Sequence, residues 1–159
     1  MIFLVVMRMV KYSKPIYKIV IAGDGGVGKS TLLKSRVNQE YTPVEQITIG
    51  VDFDCYVFEA ADDSMTLLAF DLGGQEHFHF IHQAFIGGAR AGLILYDLTQ
   101  FRTFLNIPHW IELLQSEYPS IPLLIIGTKK DLVDEEIIKN TKKEWKAFRK
   151  DLPKSANII

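Results

Sequence analysis

The sequence predicts an α/β fold with a mostly parallel central sheet, one antiparallel hairpin strand and helices on both faces. Short apolar runs rich in β-branched residues alternate along the chain with amphipathic stretches, which is typical of parallel α/β proteins. Two of these runs, at 91–97 and 122–127, are almost continuously apolar, as expected of strands buried on both faces. The runs at 52–59 and 65–71 are separated only by a short polar turn, so they predict a hairpin.

The remaining elements follow from the spacing of apolar residues. Further strands are predicted at 17–22 and from 157 onward, and helices at 30–37, 101–118, 134–150 and in a stretch ending at Phe85. Pro108 must lie in the first turn of its helix, because a proline deeper in a helix would break it. Asp134 is the expected N-cap of the last helix.

Composition indicates one ordinary globular domain. The chain has 159 residues, of which 48% are hydrophobic and 23% charged, and this is enough for a real core. A net charge of -1 gives no general attraction to nucleic acid or to an anionic membrane, so no nucleic-acid partner is expected. The single cysteine, Cys55, excludes an intramolecular disulfide, fits a reducing compartment and is interpreted as a packed core thiol.

The first 14 residues are predicted to be a disordered extension that precedes a domain over 15–159. The apolar run at 1–7 is too short to span a bilayer and lacks the charge order of a signal peptide. No glycine follows Met1, which excludes N-myristoylation. Met7 or Met9 could be the true start, and an anchor that touches a membrane is the alternative interpretation of this segment.

The stretch at 23–30 reads Gly-Asp-Gly-Gly-Val-Gly-Lys-Ser and matches the phosphate-binding loop G-x-x-x-x-G-K-[ST] between a strand and a helix. Its glycines let the backbone wrap round a phosphate, and its amides and the helix N-terminus attract an anion. Lys29 can reach the β- and γ-phosphates, and the Ser30 hydroxyl can bind Mg²⁺. The residues predicted at the nucleotide here are Gly23, Asp24, Gly25, Gly26, Val27, Gly28, Lys29, Ser30 and Thr31.

Asp71 ends a predicted strand and can hold Mg²⁺ through a water molecule. The Gly74 amide can meet a γ-phosphate, and Gln75 can orient an attacking water. Thr48 lies between the first helix and the second strand, where it could close on Mg²⁺ and γ-phosphate together. Tyr41, earlier in the same loop, could pack against the base. Alone, each of these residues is more often an ordinary loop or turn residue.

The segment 128–131, Thr-Lys-Lys-Asp, directly follows a buried strand. The Asp131 carboxylate could accept hydrogen bonds from N1 and N2 of guanine, a donor pair that adenine lacks. The Lys129 stem could pack on the base plane, and Thr128 opens the segment. A charged surface loop is the alternative.

In this order, the motifs resemble those of the small GTPases of the Ras superfamily, and most closely the Rab-like branch. The matching residues are 23–30, 48–53, 71, 74–76, 96–99 and 128–131, within a resemblance that covers about 18–150. The resemblance implies a P-loop NTPase fold and a Mg²⁺-dependent GTP/GDP switch in vesicle trafficking or signalling. Hydrolysis would be slow, with Gln75 and Lys29 as catalytic residues.

The resemblance further implies loops near 41–53 and 73–90 that respond to the γ-phosphate. Effectors, an exchange factor and an activating protein would bind there. It also implies a monomer in the cytoplasm, which would reach a membrane peripherally only through a lipidated C-terminus.

The sequence also departs from the family pattern. Gly73 and Thr128 stand where alanine and asparagine are commonest, and the final strand and C-terminal helix are expected to be largely missing. The histidines His77, His79 and His82 could suggest zinc, but a role facing solvent or a partner is favoured. The alternatives are a guanine-nucleotide module that does not hydrolyse, an incompetent fragment and, less favoured because of Asp131, an ATPase.

Overall fold

The computed structural model describes residues 15–35, 51–59, 64–73, 85–116, 118–150 and 156–158. The predicted disordered extension at 1–14 lies outside these ranges. So do several predicted functional residues, which are Tyr41, Thr48, Gly74, Gln75, His77, His79 and His82.

Strands and helices alternate along most of the described chain. The strands are β1 (Ile16–Ala22), β2 (Val51–Glu59), β3 (Ser64–Leu72), β4 (Ala91–Asp97), β5 (Leu123–Thr128) and β6 (Ala156–Ile158). The helices are α1 (Lys29–Ser35), α2 (Phe101–Leu105), α3 (Ile107–Gln115) and α4 (Glu135–Phe148), with a 3₁₀ turn at Lys130–Leu132. No helix within these ranges is both long and apolar enough to cross a membrane.

The six strands form one sheet in the order β2-β3-β1-β4-β5-β6. The β2–β3 pair is antiparallel and the other pairs are parallel, which confirms the predicted mixed sheet. The strand expected from 157 onward is present as β6, which pairs with β5. Because β1, β3, β4 and β5 run in the same direction, their carboxyl ends meet at one edge of the sheet.

Apolar side chains cover both faces of the sheet. Val20 and Ile21, neighbours on β1, are fully buried in two different clusters, because successive strand residues point to opposite faces. Trp110 of α3 and Trp145 of α4 belong to the cluster of Val20, whereas Leu33 of α1 belongs to that of Ile21. Helices therefore lie on both faces, as predicted.

The single helix predicted over 101–118 is wrong, because two helices meet at Asn106. Asn106 has φ -85° and ψ -4°, and Pro108 lies in the first turn of α3. Proline lacks an N–H and its ring clashes with the carbonyl four residues earlier, so α2 cannot continue through Pro108. The requirement that Pro108 lie in a first turn holds for α3. The last helix begins as predicted, because Ile137 N donates to Asp134 Oδ1 at 2.9 Å.

The interpretation of Cys55 as a core thiol is also wrong. Cys55 is exposed on β2, the edge strand of the sheet. Phe53, two residues earlier on the same strand face, is also exposed, to 66%. An apolar run predicts a strand but not its place in the sheet, and this place determines whether the side chains are covered.

Candidate nucleotide-binding site

The loop between β1 and α1 has a backbone that only glycine adopts readily. Gly23, Gly26 and Gly28 have φ values of 137°, 75° and 95°. Gly23 also lies against the neighbouring strand, since a Cβ built on it would come within 2.2 Å of the Leu95 carbonyl oxygen. The glycines therefore allow a tight turn that runs close to β4.

Lys29 begins α1 and folds back over this loop. Its ammonium donates to the carbonyl oxygens of Gly23 at 2.8 Å and of Asp24 at 2.9 Å. The side chain is only 6% exposed, and burial lowers the Lys29 pKa, although the nearby Asp71 and Asp24 carboxylates oppose this shift. The loop thus encloses a cation that has already lost most of its water, a favourable position for binding an anion.

Ser30 and Asp71 bring two oxygen ligands together beside the loop. The Ser30 hydroxyl donates to Asp71 Oδ2 across 41 residues of sequence. Asp71 lies near the end of β3, pairs with Ile21 of β1 and is 2% exposed. A hydroxyl and a carboxylate oxygen are ligands that suit Mg²⁺, which also retains several waters. The donor set therefore fits the predicted metal.

Thr128, at the end of β5, links the second predicted segment to the phosphate loop. Its hydroxyl oxygen lies 2.7 Å from the Val27 carbonyl oxygen and 3.0 Å from that of Tyr96. Val27 is 1% exposed. The hydroxyl is therefore placed to donate to either carbonyl, and residues on β1–α1, β4 and β5 meet at one point.

Lys129 is held in place by Asp97, the last residue of β4. Lys129 has a left-handed backbone with φ 57°, and its ammonium lies 2.7 Å from Asp97 Oδ2. Thr99 donates to the other carboxylate oxygen from its amide at 2.8 Å and its hydroxyl at 2.7 Å. Burial raises the Asp97 pKa, but the contacts of Lys129 and Thr99 outweigh it and leave the pKa below its usual value.

Asp24 is one of the predicted site residues and Asp97 lies in a segment that matches the family, but the sequence did not predict the side-chain contacts of either residue. An aspartate two residues before a threonine is a local signal for the turn that Asp97 forms. No such signal exists for Asp24, whose carboxylate accepts hydrogen bonds from Asn106 and Trp110, 82 and 86 residues away.

Comparison with known proteins agrees with this arrangement. The Ras family model matches residues 18–153. The chain belongs to the Ras family. It is 34% identical over 124 residues to the Ras-related protein RABA4a of Arabidopsis thaliana, covering 77% of this chain and 55% of that protein. It is 35% identical over 124 residues to the GTP-binding protein ypt1 of Schizosaccharomyces pombe, covering 77% and 61%.

A third relative, the Ras and EF-hand domain-containing protein homolog of Mus musculus, is 34% identical over 131 residues, covering 82% of this chain and 21% of that protein. The chain thus spans between about a fifth and three fifths of the length of these relatives. The two Rab-related matches identify it as a Rab-like small GTPase of the Ras superfamily.

In this Ras-family chain several of the described residues of the predicted site lie together at the carboxyl edge of the sheet. The phosphate loop, Asp71 and Thr128 are joined by the contacts given above, whereas Thr31 and Asp131 are exposed. Asp131 lies in the 3₁₀ turn directly after β5 and is open to a ligand. Within the described ranges no three histidine, cysteine or acidic side chains form a metal-binding group.

Proposed function

We propose that this Rab-like chain binds GTP and GDP with Mg²⁺ and acts as a molecular switch. The observation that supports this most strongly is the glycine loop enclosing the buried Lys29 ammonium, with the Ser30–Asp71 pair beside it. Lys29 and the loop amides would bind the phosphates. Ser30, Thr48 and, through water, Asp71 would hold Mg²⁺, which supplies positive charge at the β- and γ-oxygens.

The base would bind at the end of β5. Asp131 is exposed and would accept from the two guanine donors, while Lys129 would pack its stem against the base plane. Two observations support this arrangement: the Asp97 contact fixes the Lys129 ammonium, and the Lys129 side chain is still 33% exposed. Tyr41 would contact the base from the loop at 41–53.

Hydrolysis would proceed by in-line attack of water on the γ-phosphorus. Gln75 orients the water, the bond from the γ-phosphorus to the bridging oxygen breaks, and GDP leaves while the proton of the water passes to the phosphate product. Lys29 and the loop amides stabilise the negative charge that develops. Arg90 and Arg102 are both exposed. We also propose that an activating protein supplies an arginine and that hydrolysis without it is slow.

Release of bound nucleotide tests the binding proposal. Denaturing the purified chain should release GDP or GTP, identifiable by chromatography, because small GTPases often keep their nucleotide through purification. Excess GTP should displace a fluorescent GDP analogue, whereas ATP should not, because adenine lacks the donor pair that Asp131 recognises. Equal displacement by ATP would refute the base assignment, and no binding of the analogue with Mg²⁺ present would refute the function.

Replacing Gln75 with leucine tests the hydrolysis step. In single-turnover phosphate release we expect a substantially lower rate, because leucine cannot orient the water, while GTP affinity is unchanged. Gln115→Leu, at the end of α3, is the matched control and should hydrolyse at the wild-type rate. Equal rates in all three proteins would refute the role of Gln75. Absence of phosphate release from the wild type would favour the non-hydrolysing module.

An aromatic stack supports the proposal that partner proteins bind near the two nucleotide-responsive loops. The rings of Phe53 and Phe70, and of Phe70 and Phe85, have centroids 6.0 Å apart. Phe53 is 66% exposed, and the Lys18 ammonium lies 4.2 Å from the Phe70 ring centroid. Since Phe53 ends the loop near 41–53 and Phe85 lies within the loop near 73–90, an effector, exchange factor or activating protein seated there would contact both loops.

We place the protein in the cytoplasm as a monomer. It would be recruited to membranes peripherally only through a lipidated C-terminus. The Rab-like resemblance favours a role in vesicle trafficking or signalling.

A further inference from the structure

We propose that Asn106 and Trp110 are positioning residues for the phosphate loop and that they act through the Asp24 carboxylate. This inference rests on the proposed nucleotide binding. It concerns residues outside the loop that would keep the loop in its binding conformation without touching the nucleotide.

Each oxygen of the Asp24 carboxylate accepts one hydrogen bond from the region where α2 meets α3. Asn106 Nδ2 lies 2.7 Å from Oδ2, and Trp110 Nε1 lies 2.8 Å from Oδ1. Asp24 and Asn106 are half-buried and Trp110 is 3% exposed. Hydrogen bonds to a charged acceptor at a partly buried position are stronger than neutral ones at the surface.

Asp24 is one of only two residues between Gly23 and Gly28 that have a side chain. The other, Val27, is buried in the core, and its carbonyl oxygen is contacted by Thr128. Asn106 and Trp110 provide the equivalent attachment at Asp24. The loop consists mostly of glycine, and contacts with other parts of the chain hold it at Asp24 and Val27, the two residues that have side chains.

The hydrogen bonds from Asn106 and Trp110 to Asp24 also affect the position of the Lys29 ammonium. The Lys29 ammonium donates to the carbonyl oxygens of Gly23 and Asp24, so these two carbonyls determine where the charge is held. If the Asp24 side chain were released, its carbonyl could rotate, and the ammonium would lose a defined position. A released carboxylate could also turn toward the bound phosphates and repel them.

The break between α2 and α3 places both donors. Asn106 lies at the break that Pro108 enforces, and Trp110 follows four residues later, on the same side of the helix. The Trp110 amide donates to the Asn106 carbonyl at 3.3 Å, which fixes the backbone positions of the two residues relative to each other. The first turn of α3 therefore presents both donors to Asp24.

Trp110→Phe and Trp145→Phe form a matched pair of test variants. Both indoles are buried, and the Trp145 N–H donates to the Tyr96 hydroxyl at 2.9 Å and not to a residue of the loop. Both changes should lower the melting temperature. Only Trp110→Phe should speed dissociation of a fluorescent GDP analogue from the Mg²⁺-loaded chain, by about tenfold, because it removes a hydrogen bond to a charged group.

Substitutions of Asn106 provide a second, independent test. Asn106→Ala should also accelerate dissociation of the GDP analogue. Asn106→Asp should accelerate it more strongly, because a second carboxylate would then face the Asp24 carboxylate. Dissociation rates in Trp110→Phe and both Asn106 variants that equal the rate in Trp145→Phe would overturn the proposal.

Amide hydrogen exchange separates this inference from the proposed function. In the nucleotide-free chain, exchange of amides 23–28 should be faster in Trp110→Phe than in Trp145→Phe. If the wild type fails to bind the GDP analogue, the proposed function fails and exchange alone decides the positioning role. Equal exchange in the two variants would then refute it.

Discussion

Replacing Lys29 with alanine should weaken binding of GDP and GTP by at least about a hundredfold, since each hydrogen bond to a charged group contributes roughly 1.5–3 kcal/mol. The ammonium is buried within the loop, where it would supply the positive charge that contacts the phosphates in the proposed function. The stability of the nucleotide-free chain should change little, because burial lowers the Lys29 pKa and the charged form is costly to keep there.

Titration with a fluorescent GDP analogue and thermal unfolding without nucleotide would measure the two effects separately. Lys34→Ala is the control, because Lys34 lies in the last turn of the same helix and is exposed. Its affinity should match that of the wild type. Unchanged affinity in Lys29→Ala would refute the phosphate-loop assignment.

Replacing Gly23 with alanine should destabilise the fold by roughly 3 kcal/mol or more, because it combines backbone strain with overpacking. The new methyl group would come within 2.2 Å of the Leu95 carbonyl oxygen at φ 137°. Leu95 is 1% exposed and pairs with Ile126 of β5, so β4 cannot move aside without disturbing the sheet. The melting temperature should fall by roughly 6–12 °C.

Gly25→Ala, two residues along the same loop, is the matched control. A Cβ there meets nothing within 4 Å, and Gly25 is not among the positive-φ glycines. Urea unfolding of the nucleotide-free chain should give this variant nearly wild-type stability. Equal stability in both variants would show that the Gly23 approach to Leu95 does not constrain the fold.

The elements that could be predicted are those whose signal is local. The strand at 91–97 has the predicted bounds of β4, because burial on both faces requires continuous apolar residues. The turn between β1 and α1 could be predicted from adjacent residues, because Gly26 and Gly28 have positive φ values and Lys29 donates to carbonyl oxygens of the same turn.

Features that depend on distant residues could not be predicted. The exposure of Cys55 depends on the position of β2 at the sheet edge, and the role of Asp24 depends on Asn106 and Trp110. The break at Asn106 could be predicted only in part. Pro108 indicated that a helix begins near it, but the apolar spacing continued across the break.

The contacts that assemble the site join parts of the chain that are far apart in sequence. The Ser30–Asp71, Asp24–Asn106 and Val27–Thr128 contacts span 41, 82 and 101 residues. These long-range contacts form only when the domain folds, so the proposed nucleotide, if it binds only the native state, would stabilise the whole domain by mass action. Loss of that nucleotide would lower the stability of the whole domain, so occupancy would also influence the resistance of the protein to proteolysis.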